Sequence, residues 1–71
     1  MDIQKDGRQV NVIFNGETDA EVRTTCLAIG ILCVDDKTVH YDPETKRLTA
    51  TLAADAAHVS VSSFIASALG S

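Results

Sequence analysis

The chain reads as a small α+β domain, with one four-stranded antiparallel or mixed sheet and two helices on one of its faces. Three observations predict this. Alternating apolar and polar residues flank a turn signal at Asp6-Gly7 and again at Asp42-Pro43, which gives two hairpins. A helix start follows each hairpin, at Thr18 and near Ser60, and every apolar stripe so defined can meet the others in a single layer.

The first hairpin places Asp6-Gly7 at the centre of a two-residue turn, because Asp-Gly tolerates the positive φ that such turns require. Lys5 then faces Arg8, Ile3 faces Val10 and Met1 faces Val12. Val10, Val12 and Phe14 share a face with Ile3, while Gln9, Asn11 and Ile13 point the other way. Asn15-Gly16 ends the strand. Thr18-Asp19-Ala20-Glu21 matches a capping box, with Asp19 and Glu21 at the positive end of the helix dipole. Val22, Cys26, Ile29 and Cys33 recur at helical spacing, and Leu27 and Ile31 widen the stripe. Two stops are open to this helix: Gly30 as a C′ residue, or Asp35-Asp36 after a helix that runs to Cys33.

The second hairpin takes Asp42 to Arg47 as its loop, with Pro43 presetting φ for the first corner. Tyr41 then lies opposite Leu48 and Val39 opposite Ala50, with Leu52 on the same face. Thr38, His40, Thr49 and Thr51 line the other. In the last segment Asp55 and Ser60 compete as N-caps. Ser60 is the better one, since Val59 and Phe64 would form a hydrophobic staple. Val61, Phe64, Ile65, Ala68 and Leu69 make the apolar stripe, and Gly70 stands where a C′ glycine belongs. Phe64→Ala is expected to cost about 3–5 kcal/mol.

At 71 residues and 45% apolar composition the chain forms a single domain over residues 1–71, with enough for one core. Its net charge of −4 comes without a basic cluster, so nucleic acid is not expected as a partner. The polar start M-D-I-Q-K-D-G-R-Q is unlike a signal peptide, and the apolar stretch from Cys26 to Val34 falls well short of the ~20 residues a membrane span needs. The expectation is a soluble, cytoplasmic protein, or a domain excised from a longer one, with no membrane partner. Two cysteines are too few for a disulfide framework.

From Val10 onward the chain resembles the heavy-metal-associated domain. The stretches that carry the likeness are V-N-V-I-F, T-D-A-E-V-R-T-T-C-L-A-I-G, V-H-Y-D-P-E-T-K-R-L-T-A-T-L and V-S-V-S-S-F-I-A-S-A-L-G. The resemblance implies a ferredoxin-like fold, here in the order (β)βαββα. Two departures stand out. The family's two cysteines would fall within Asn15 to Ala20, where there is no cysteine, so no thiolate is available to a soft metal. The family's final strand is also missing, and hairpin geometry lets the amino-terminal strand pair with the same edge in its place.

No catalytic constellation appears, and no cofactor is expected. Cys26 and Cys33, seven residues apart on one helix, would be ~10.5 Å apart along its axis, too far for a disulfide or a shared ion. They read as small apolar residues. A metal site would need Cys33 freed from the helix to approach His58. Asp35 and Asp36 read as turn solvation; Ser60, Ser62 and Ser63 as caps and helix surface. The feature that bears on function is the sheet face away from the helices, carrying Asn11, Ile13, His40, Thr49 and Thr51. That face, bounded by an unpaired edge, favours a non-enzymatic module that docks a protein partner or a second copy of itself. The alternatives are metal handling through Cys33 and His58, and a small subunit of an oligomeric enzyme.

Overall fold

Alternation and turn chemistry build two hairpins, which the computed structural model, describing residues 1–33 and 38–70, joins into one sheet. Strand β1 (Asp2–Asp6) pairs with β2 (Gln9–Ile13), and β3 (His40–Asp42) pairs with β4 (Arg47–Thr51). The central contact is between β2 and β4, so the order is β1-β2-β4-β3 and every pairing is antiparallel. Helix α1 (Asp19–Ile31) connects the two hairpins, and a 3-10 turn at Ala54–Ala56 leads into α2 (Val61–Gly70).

Val10 lies opposite Ala50 and Val12 opposite Leu48, so the two central strands present one apolar face. With Phe14 and Leu52, these side chains meet Ile29 of α1 and Val61 and Ile65 of α2 in the buried core. Ile3, Val39 and Tyr41 pack around its margin. The Phe14 and Tyr41 rings meet edge to face, with centroids 5.7 Å apart. One residue past the Gln9–Thr51 pair, Leu52 N donates to Arg8 O at 2.7 Å and Arg8 Nε donates to Leu52 O at 2.8 Å. Ala53 N donates to Leu32 O at 2.9 Å, so the end of β4 is tied to both the first hairpin and the end of α1.

The pairing of Tyr41 with Leu48 is the one the alternation predicts. Asp42 and Arg47 also pair, however, which shortens the loop to residues 43–46 and places Lys46 at φ +56°. Asp42 Oδ1 accepts from Glu44 N at 3.0 Å, the Asx contact that bends the chain. Val39 precedes β3 and packs on the core without a strand assignment.

The first hairpin differs from the predicted register. Its turn is centred on Gly7-Arg8, and Asp6 pairs with Gln9, Lys5 with Val10 and Ile3 with Val12. Gly7 has φ +61° while Arg8 is not in the positive region, which fits a turn with glycine at its first central position. The shift moves each partner by two residues, so Ile3 keeps its place on the face of Val10 and Val12.

The capping box at the start of α1 forms as the spacing predicts. Thr18 Oγ1 accepts from Glu21 N at 3.2 Å and Glu21 Oε1 accepts from Thr18 N at 3.0 Å. The helix runs through Gly30 to Ile31 with Leu32 as its C-cap, so Gly30 is an interior residue. The stop ascribed to Asp35-Asp36 lies outside the described residues, as does the Lys37 end of the second hairpin. Leu27 and Ile31 do not widen the core stripe: they are 66% and 75% exposed. Thr25 fills the inner position instead. It is fully buried, and its hydroxyl donates to Glu21 O at 2.8 Å within the helix.

Helix α2 starts after Ser60, whose carbonyl accepts the first helical bond from Phe64 N at 3.0 Å. The Ser60 hydroxyl donates to that of Ser63 at 3.2 Å. Asp55 starts no α-helix; it sits in the 3-10 turn. Phe64 is only half-buried, and Val61 and Ile65 anchor the helix. Gly70 is the last residue of α2 without positive φ, so it is not an αL cap.

Candidate functional site: the open face of the sheet

Strand geometry sends alternate side chains to opposite faces, and the register sorts the outer ones into cross-strand rows. One row runs Gln4, Asn11, Thr49, His40 across all four strands. A second runs Asp2, Ile13, Arg47, Asp42, and a third begins Asp6, Gln9, Thr51. All five residues expected at the docking surface therefore share this face. His40 is exposed, and Asn11, Ile13, Thr49 and Thr51 are half-buried by one another and their neighbours.

The polar groups are partly engaged within the sheet. Gln9 Nε2 donates to Thr51 Oγ1 at 3.1 Å, and the Thr49 hydroxyl approaches His40 O at 3.5 Å. Ile13 is the one aliphatic side chain in these rows, held between Asp2 and Arg47. Sequence reasoning missed Asp2, Gln4 and Arg47 here. Asp2 and Gln4 alternate with Ile3, a parity that either register of the first hairpin gives, whereas Arg47 falls inside the loop expected from Asp42 to Arg47 and joins the face because it pairs with Asp42.

The thiols and His58 are placed differently. Cys33 follows the C-cap and donates its thiol back to Ile29 O at 3.3 Å, so it stays bound to the helix end. His58 is exposed in the loop before α2. Cys26 packs against the core, and burial pushes its thiol pKa up, which keeps it neutral. Both cysteines are free, and no group of three or more His, Cys, Asp or Glu side chains converges among the described residues. No cavity is present among those residues either, and no described helix is long and apolar enough to cross a membrane.

At the opposite end of the sheet from the Arg8-Leu52 tie, Glu17 binds the amino-terminal ammonium of Met1 at 2.6 Å and accepts from Asn15 N at 2.5 Å. The ammonium hydrogen bond holds the Glu17 carboxyl below the usual glutamate range. No protein-family model, curated protein or solved structure matches the chain.

Proposed function

We propose that this is a non-catalytic binding module of the cytoplasm that docks a protein partner on the outer face of its sheet. The observation that carries the reading is the set of rows on that face, which no described helix covers. Asn11, Thr49 and His40 form a line of hydrogen-bonding side chains beside Ile13, the pattern of a polar surface with one apolar contact. Among the described residues the face carries Asp2, Asp6 and Asp42 against Arg47, which disfavours a phosphate backbone as the ligand. The strand order supports a ferredoxin-like arrangement in which β1 stands where a heavy-metal-associated domain has its last strand. The absent cysteine pair argues that such a relative would have given up metal for protein recognition.

The test is a comparison of wild type with Ile13→Asp and Thr49→Arg. Partners captured from cell extract by the wild type should be lost by both variants, and amide shifts at Asn11, Ile13, Thr49 and Thr51 should move on titration with the purified partner. Capture unchanged by both substitutions sinks the proposal.

A further inference from the structure

The docking face just proposed leaves the opposite side of the molecule unexplained. There, α1 shows water its two most exposed large apolar side chains, Leu27 and Ile31. They are four residues apart, so they adjoin on the helix surface. Gly30, three residues after Leu27, lies on the same flank, inside the helix and without positive φ. A Cβ there would meet no heavy atom within 4 Å, so nothing in the fold of one chain calls for glycine, although an interior glycine weakens a helix. Arg23, one turn before Leu27, is exposed and has no partner among the described residues, and the last turn of α1 carries no basic side chain.

We infer that this flank of α1 is a two-fold interface between copies of the chain. A projecting leucine and a notch three residues away make the surface self-complementary. In an antiparallel pairing, Leu27 of each copy seats on Gly30 of the other, as an isologous contact requires. The same pairing carries Arg23 of each copy toward the carbonyl end of its partner's helix, which its own sequence leaves without a cation. Ile31 extends the apolar contact beside it. One helix pair buries well under the ~1,200 Å² of a stable interface, so the dimer is weak and forms only as concentration rises.

Sedimentation equilibrium from micromolar to millimolar protein tests this. The wild type should rise from a single-chain mass of 7.6 kDa toward twice that value. Leu27→Glu, at an exposed position, should fold normally and weaken association by about tenfold or more. Gly30→Ala separates the interface from the fold, because the added methyl should raise the melting temperature of the dilute protein while weakening association. Ile13→Asp, on the sheet face, should leave association unchanged. A mass that stays single-chain at millimolar concentration overturns the inference, as does association that survives Leu27→Glu or that Gly30→Ala strengthens. Loss of association in Ile13→Asp with retention in Leu27→Glu would assign the contact to the sheet and overturn it equally. None of these results bears on capture of a different protein by the sheet face.

Discussion

Lys46 takes up φ +56° at the end of a four-residue loop, a conformation that suits glycine better than lysine. Its carbonyl accepts from Phe14 N at 2.9 Å and so extends the β2–β4 ladder, which fixes the conformation in place. Lys46→Gly relieves the backbone but frees the unfolded chain, and the balance should stabilise by about 0.5–1 kcal/mol. Thermal unfolding would read this as a rise of several degrees, and a fall would refute it. Thr25 offers a second test. Its hydroxyl bonds only within its own helix, so Thr25→Val should be nearly neutral, whereas Thr25→Ser removes a buried methyl and should cost about 1 kcal/mol. The reverse order in urea unfolding would show that the hydroxyl matters more than the packing. Neither Lys46 nor Thr25 announces itself in the sequence. A positive φ on lysine is imposed by loop length, and a buried threonine looks like a surface one until the helix is docked.

Elements were more legible than residues where a local rule settled them. Thr18 and Glu21 sit at capping-box spacing and form that box; Tyr41 and Leu48 pair because alternation puts both inside and the turn that starts at Asp42-Pro43 sets which residues meet. Asp6-Gly7 misled because Asp-Gly suits the centre of one turn type, while Gly7-Arg8 suits another, and strand alternation accepts both. Hydrophobicity likewise named Leu27, Ile31 and Phe64 without giving them a direction: Leu27 and Ile31 face water, and half-buried Phe64 stays outside the core. The outer face was legible through parity alone; what docks there is written in another molecule. The correction at Phe64 changes an expectation. Ile65→Ala should cost about 2–5 kcal/mol because Ile65 is 1% exposed, and Phe64→Ala clearly less. Equal losses in denaturant melts would contradict the packing. Thr18→Ala should cost about 1 kcal/mol through loss of its cap.

For the whole molecule, acid is the condition that exposes the tie between the amino terminus and the loop before α1. Glu17 has a lowered carboxyl pKa in the folded chain, chiefly from the Met1 ammonium hydrogen bond. Its contribution is therefore present above the ordinary glutamate pKa of about 4.3 and lost as pH falls through the lower folded value. Glu17→Gln should flatten the stability profile in that acid range. A profile that keeps its slope would place the titration elsewhere.

The arrangement β1-β2-β4-β3 also dictates how such a chain must assemble. Each ribbon closes on its own within a few residues, yet the seam that unites them joins partners as remote as Gln9 and Thr51, 42 positions apart. Ribbon formation is thus a rapid, local event, and the slow step is the search that zips the middle of the sheet together. Truncations at Val12 or Leu48, on either side of that seam, should retard refolding, while changes near Gly7 or Pro43 leave its rate almost untouched.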